Sequence, residues 1–444
     1  MTTTLLTGIS ELWTLDPALE DAPLGGSSER GAADGQIQRE AALVIEDDRI
    51  AWTGPAAEAP AADERIDLEG RAVLPGWVDS HTHLVFDGDR SAEFEARMAG
   101  QSYAAGGIQV TTDATRAADD RRLETLVRGR IGEALAGGTT TLETKTGYGL
   151  TVADEARAAA LAARLVAEGT LDEATFLGAH LVPSEYDGAD GRPGPAEYLD
   201  LVVGPMLEQV RGSVRWIDVF CEDGAFDTAA SRRVLEAGRA AGLGLRVHGN
   251  QLSGAQRGVQ LAVEEHAASV DHLNHLEAED VEALAATAGR PVAPGGDPIG
   301  PADRPLGPGA RDRLLAVDAG PTVATVLPAC DLSTRAPLAP ARDLLDAGAH
   351  VAIASNCNPG TSYTSAMSFC VATAVLQMHL SLAEAIRAAT RGGALALRRS
   401  DVGHLGVGAR ADLHVLDAPA AIHLAYRPGM PLTHQVWRRG RRVA

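Results

Sequence analysis

Cysteine is scarce. Four of them occur in 444 residues, at positions 221, 330, 357 and 370, with no CxxC spacing. That excludes a disulfide scaffold and a zinc knuckle, and in apolar surroundings Cys221, Cys330, Cys357 and Cys370 read as reduced core residues. Long apolar runs are missing as well: no stretch reaches the roughly 18 residues that a membrane-spanning helix requires. The N-terminus, MTTTLLTGISELWTLDP, has neither the basic start nor the apolar run of a signal peptide, so a cytoplasmic protein with no membrane partner is expected. Basic residues are outnumbered, 39 against 60 acidic ones, for a formal charge of −21. Such a surface repels nucleic acid and anionic membranes and favours solubility, which leaves a small molecule as the expected partner. The Arg-rich end WRRGRRV (437–443) is too short for a binding arm and reads as a terminal strand.

What is present is ordinary globular composition, 45% hydrophobic and 22% charged, in a chain long enough for one large domain with a smaller one attached. From about residue 70 to 400, short apolar β-branched runs alternate with Ala/Leu/Arg-rich segments of helical period, the pattern of repeated βα units. Strand candidates fall at 72–84, 139–148, 174–183, 216–223, 245–251, 269–276, 322–328 and 350–358. Eight such units predict an α/β fold, a TIM-type (β/α)8 barrel. Both ends of the chain, with ALVIEDDRIAWTG and RIDLEGRAVLPG before the barrel and ADLHVLD and PLTHQVWRRGRRV after it, predict a small β-sandwich built from the two termini. The expected division is 1–70 and 403–444 for that domain and 71–402 for the barrel. The Pro/Gly-rich stretch 291–320 and the Gly/Ser/Asp-rich stretch 21–38 read as loops.

Polar, chemically capable residues cluster at the C-terminal ends of the strand candidates, where such barrels assemble active sites. His81 and His83 lie two apart at a strand end, so both point to one face. His248 ends the fifth run and His272 the sixth. A nitrogen-rich site that keeps room for water suits a catalytic Zn²⁺ or iron ion. Seven other histidines, His266, His350, His379, His404, His414, His423 and His434, fall on helices, strand starts or the terminal β-structure and read as structural.

The motifs PGWVDSHTHLVFDGDR (75–90), EFEARMAGQSY (93–103), KTGYGL (145–150), GAHLVPSEY (178–186), DVFCE (218–222), HGNQ (248–251), SVDHLNH (269–275), NPGTS (358–362) and GARADLHVLD (408–417) run through nearly the whole chain. Together they resemble the imidazolonepropionases, a family of the amidohydrolase superfamily that acts in histidine degradation. The HxH pair marks only the superfamily; FDGDR, GYGL, GAHLVP and NPGT mark the family. The resemblance implies hydrolysis of the cyclic amide of 4-imidazolone-5-propanoate to N-formimino-L-glutamate, by water activated on one Zn²⁺ or Fe²⁺/Fe³⁺ ion per subunit, in a homodimer. It implies metal ligation by His81, His83 and His248 with a fourth ligand at the end of strand eight, position 356. Catalytic roles fall to His180, His272, Gln251 and position 356, and substrate contacts to Arg90, Tyr148, His180, Gln251, Asn358, Gly360 and Thr361. Chemistry agrees with several of these. A propionate suits the forked guanidinium of Arg90 and the backbone amides of the Gly360-Thr361 turn. His180 and His272 suit a ring carbonyl or the oxyanion developing from it. The competing reading of Arg90 is an ion pair with Glu93 or Glu95. Lys145 raises the question of a carboxylated lysine bridging two metals. In binuclear relatives that lysine ends strand four, which here carries Asp218, Cys221 and Glu222, so one metal is expected.

The family pattern ATDxNPG reads ASNCNPG here, with Asn356 in place of the aspartate that binds metal and takes a proton from water. An amide offers its oxygen but accepts no proton at neutral pH, so general-base catalysis, worth about 10²- to 10⁴-fold, falls to another group, His272 or His180. Asn250 likewise stands where relatives carry an acid. Three explanations are compatible with Asn356: a substitution that traps substrate, a natural variant with a relocated base, or a divergent member. The last would be a deaminase or ring-opening enzyme for another heterocycle, or a catalytically impaired metal- or ligand-binding protein.

Overall fold

The computed structural model describes residues 2–19, 36–100, 107–292 and 316–444. Most of the two stretches read as loops, 21–38 and 291–320, lies outside the described residues, although Ile37 and Gln38 already belong to a strand. In chain order the strands are β1 (Thr3–Trp13), β2 (Ile37–Glu46), β3 (Arg49–Pro55), β4 (Glu64–Pro75), β5 (Trp77–Asp79), β6 (Thr139–Lys145), β7 (Glu173–Ala179), β8 (Trp216–Cys221), β9 (Gly244–Gly249), β10 (Ser269–His272), β11 (Val323–Val326), β12 (Val351–Ile353), β13 (Leu413–Leu416), β14 (Thr433–Arg438) and β15 (Arg441–Arg442).

Strands β5 to β12 form an eight-stranded parallel sheet in sequential order, and each overlaps one of the eight segments expected from the sequence. The sheet closes on itself where the ends of its first and last strands meet. Asn356 N donates to His81 O at 3.0 Å and His83 N to Cys357 O at 2.9 Å, while Ser355 N donates to Asp79 Oδ1 at 3.0 Å. The barrel strands are buried at every position, as parallel strands covered by helices on the outside must be. The intervening helices carry the expected caps. Asp119, Thr151 and Asp227 accept the backbone N–H of Arg122, Asp154 and Ala230, each contributing about 1 kcal/mol. The 120–136 helix buries Leu123, Val127, Ile131 and Ala134, a stripe at helical spacing that packs on the barrel.

The two termini come together as expected, in a seven-stranded sheet of order β15-β14-β13-β4-β1-β2-β3. Its strands share one continuous ladder, because β13 pairs with β4 (Leu413↔Pro75) and β1 lies parallel to β4 on the other side. The sheet wraps its own core of Leu6, Ile9, Leu43, Val73, Val415 and Trp437. β4 leads into β5 through Gly76, where a Cβ would stand 2.2 Å from Thr140 Oγ1, so only glycine lets the chain pass that close to the barrel rim. At this rim Arg410 and Arg438 reach down from the C-terminal segment to Asp172, at 2.6 and 2.8 Å. All four cysteines are buried and unpaired. Among the described residues no helix is long and apolar enough to cross a membrane.

Candidate metal centre and substrate pocket

At the C-terminal mouth of the barrel, His81 and His83 leave β5, His248 stands near the end of β9 and His272 ends β10. Period-two geometry puts the first pair on the inner face. His81 Nε2 and His83 Nε2 are 3.2 Å apart, and His248 Nε2 lies 3.5 Å from His83 Nε2. Two nitrogens bound tetrahedrally to one ion at about 2.0–2.1 Å stand about 3.3 Å apart, so these three imidazoles are already spaced for a single metal. A fourth ring is close: His81, His248 and His272 each offer a nitrogen, all within 4.8 Å of one another.

Buried carboxylates aim two of these rings. Asp271 Oδ2 faces His81 Nδ1 at 2.6 Å and Asp218 Oδ1 faces His248 Nδ1 at 3.0 Å. Each carboxylate holds its ring with Nδ1–H outward and the Nε2 lone pair inward, the usual outer-shell support of a metal-binding histidine. Burial pushes both carboxyls up, but Arg246 outweighs it for Asp271, and His248 with Lys145 outweighs it for Asp218, so both stay below the ordinary carboxylate range. Burial holds His81, His83 and His272 well below the ordinary imidazole value and His180 down to about 4. The rings are therefore neutral at pH 7, with lone pairs available.

Asn356 completes the group. Its Oδ1 is buried with no hydrogen-bond partner among the described residues. An orphaned buried amide oxygen costs about 1–3 kcal/mol, and Asn356 lines the same cavity as His83 and His248, where its oxygen suits a metal's fourth position. The donor set and its spacing thus fit one Zn²⁺ or iron ion. Backbone strain gathers at the same strand ends. Asn250, His272, Leu273 and Asn356 all have positive φ, at 55°, 91°, 67° and 53°, each costing about 1–3 kcal/mol, as happens where backbone is bent to aim side chains.

Above this point lies a cavity of about 460 Å³ including its open mouth, lined by His83, Arg90, Tyr148, His180, His248, Gln251, His272, Asn356, Asn358 and Thr361 together with Ile108, Leu181 and Phe220. The fold thus brings ten of the sequence-selected residues to one wall, with His81 fully buried beneath them and Gly360 beside Asn358. His180 Nδ1 donates to Gly147 O at 2.9 Å, which leaves the Nε2 lone pair free, and its ring stacks on His83. Arg90 does both things the sequence allowed. It pairs with Glu93 through Nε and Nη2, at 2.7 and 2.8 Å, and it lines the cavity. Glu95 is not its partner.

The NPGT turn differs from expectation. Gly360 N and Thr361 N both donate to Asn358 Oδ1 at 2.8 Å, and Asn358 Nδ2 donates to Asn356 O and Thr361 Oγ1. These amides are spent inside the turn, because an Asn side chain folds back on its own backbone more readily than it waits for a ligand. Gly360 has another use: a Cβ there would lie 2.3 Å from Arg90 Nη1. Asn250 is similarly committed, bridging Val259 N and His275 O.

Sequence reading did not single out Asp271, Arg246 or Glu143, nor the apolar wall of Ile108, Leu181 and Phe220. The signal for the charged ones was present, since Glu143 and Lys145, and Arg246 and His248, lie two apart on barrel strands and therefore share a face. Glu222, pushed up to about 7 by burial, accepts the backbone N–H of Gln251 and of Leu252 and so folds the turn that presents Gln251.

Residues 72–443 match the Amidohydrolase family, whose members are metal-dependent. The imidazolonepropionase of Micrococcus luteus is 64% identical over 444 residues, covering 100% of both chains. That of Paenarthrobacter aurescens is 58% identical, covering 99% of this chain and 98% of its own. Among solved structures, an atrazine chlorohydrolase mutant from Arthrobacter aurescens complexed with zinc and atraton superposes with a TM-score of 0.67 at 19% identity, covering 99% of this chain and 94% of that one. The last likeness bears on the fold alone. Full-length identity at this level, on a chain whose barrel mouth carries the family's motifs, shows that this chain belongs to the imidazolonepropionases of the amidohydrolase family.

Proposed function

We propose that this chain hydrolyses the lactam of 4-imidazolone-5-propanoate to N-formimino-L-glutamate, with one Zn²⁺ or iron ion per subunit held by Nε2 of His81, His83 and His248 and by Oδ1 of Asn356. The observation that carries this reading is the convergence of three imidazoles and an orphaned amide oxygen at a cavity that a guanidinium lines. When bound, the ion supplies Lewis acidity that polarises a carbonyl and lowers the pKa of water.

The residues divide the remaining work. Arg90 directs Nη1, the nitrogen not taken by Glu93, at the propionate. Tyr148, Gln251 and Thr361 contact the ring and its side chain, while Asn358 and Gly360 shape the turn against Arg90. Water adds to the lactam carbonyl carbon, the ring C–N bond breaks, and the departing nitrogen takes up a proton. Asn356 accepts no proton. The fixed tautomer of His180, with its Nε2 lone pair in the cavity, makes it the proton acceptor, and the imidazolium that results is stabilised by Gly147 O. His272, whose Nδ1 has no partner among the described residues, donates to the oxyanion. Ile108, Leu181 and Phe220 keep the ring in an apolar slot.

The test follows loss of the substrate's ultraviolet absorbance and product mass for the protein as written and for Asn356→Asp. Ring opening by the protein as written supports histidine as base. Activity confined to Asn356→Asp would return that role to position 356, and activity in neither would overturn the assignment of substrate.

A further inference from the structure

The chain holds a single lysine among its 39 lysine and arginine residues, and that lysine is Lys145 at the end of β6. It is fully buried inside the barrel. Its Nζ lies 3.0 Å from Asp218 Oδ2 and 3.1 Å from Glu143 Oε1. Asp218 in turn faces His248 Nδ1 through its other oxygen, and His248 Nε2 is one of the convergent nitrogens. Glu143 is held from the far side by Thr82 N and by Thr175 Oγ1, and Thr82 sits between His81 and His83. The ammonium therefore stands where an ion pair that leads through Asp218 to His248 meets a hydrogen bond that leads through Glu143 to the backbone carrying the HxH pair.

We propose that Lys145 is a positioning residue of the metal site, clamping Asp218 so that the His248 ring is locked with Nε2 inward; the inference rests on His248 being a metal ligand. The chemistry of the side chain explains why a chain that uses arginine at every other basic position uses lysine here. A compact ammonium with three donors fits between two carboxylates on β6 and β8, whereas a planar guanidinium is larger and donates in a fixed fork. Two carboxylates about 3 Å away also mark the group as a cation. A carboxylated lysine would place a third anion in a buried cluster, so the uncarboxylated amine is the form that these surroundings suit. The matching arrangement on the other ligand is Arg246, which donates to Asp271 Oδ2 at 3.2 Å and to Ser80 O at 2.8 Å behind His81.

The test measures the zinc dissociation constant of chelator-stripped full-length protein by competition with a chromophoric chelator, for the protein as written, Lys145→Met, Lys145→Arg and the double variant Lys145→Met/Glu143→Gln, which removes the charge and its counter-charge together. Circular dichroism reports folding, and His248→Ala serves as the control for the ligand. Weakening of zinc affinity by about 10- to 100-fold in folded Lys145→Met or in the double variant, with Lys145→Arg failing to restore it, is the expected result. Affinity within twofold of the unaltered protein in any folded lysine variant would overturn the proposal, as would failure of all three to fold, which would assign Lys145 to the barrel core alone. Unchanged zinc binding in His248→Ala, or no zinc binding by the protein as written, would overturn the ligand reading itself and is distinguished by that control.

Discussion

At the N-terminal rim of the barrel, Asp172 accepts from Arg410 and Arg438, Glu173 from Arg215 and Trp216 Nε1, and Arg399 forks onto Asp401. At the C-terminal mouth, His83 Nδ1, His272 Nδ1 and Asn356 Oδ1 are buried without such partners. Both ends bury polar groups. The lower network closes on itself and ties the terminal sheet to the barrel; the upper one converges on one cavity. Buried polarity alone therefore does not mark a functional site. What marks it is unpartnered polar side chains gathered on one cavity, together with strained backbone at Asn250, His272 and Asn356.

That contrast breaks cleanly if substitutions at the two ends have separable effects. The largest is expected at the mouth. His81→Ala should lower ring opening by about 10³-fold or more, because a metal contributes several kcal/mol to the transition state, while leaving the melting temperature of metal-free protein nearly unchanged; assay and calorimetry on one preparation check both. Next, Asp172→Asn should cost about 3–5 kcal/mol of stability, since it removes the buried carboxylate that Arg438 and Arg410 share and leaves Arg410 with Asp412 alone, with unchanged turnover per folded molecule in denaturant titration and assay. Arg90→Ala should lower kcat/KM by about 10- to 150-fold, the loss of a charged hydrogen bond of about 1.5–3 kcal/mol. If the loss appears in KM, Arg90 holds the propionate; a loss confined to stability would make it only the partner of Glu93.

A smaller effect sharpens the comparison through pH. Burial raises the Asp172 carboxyl, but Arg410 and Arg438 outweigh it and hold it well below its ordinary value. A depressed folded value means that the unfolded chain protonates first, so this stabilisation is complete above about pH 4 and lost as pH falls further. His414, held down at about 3 by burial, adds in the same direction below about pH 6.5, where the unfolded imidazole charges and the folded one does not. The melting temperature should fall on acidification, and the limb below about pH 4 should flatten in Asp172→Asn. A melting temperature that rose toward acid would contradict the closed-network reading.

The barrel was legible because strand and helix periods alternate without interruption, and the HxH pair because period two forces both rings to one face. The terminal sheet was legible as β-structure, but its single continuous ladder was not, since the β13–β4 pairing joins residues more than 300 apart and leaves no local signal. The commitment of the Gly360 and Thr361 amides to Asn358 was hidden for a related reason. A turn rich in donors looks the same in sequence whether the donors await a ligand or are used by the turn. Lys145 stood in plain view, and its meaning came from burial between two carboxylates, which only the closed barrel supplies.

The central claim is that the incomplete network at the barrel mouth is completed by one metal ion that ring opening requires. The most direct measurement titrates chelator-stripped protein with Zn²⁺ or Fe²⁺ and follows imidazolone propanoate opening against metal bound per chain. A rate that rises from near zero to a plateau at one metal per chain is the expected result. Full activity in metal-free protein, or no ring opening at saturation, would contradict it.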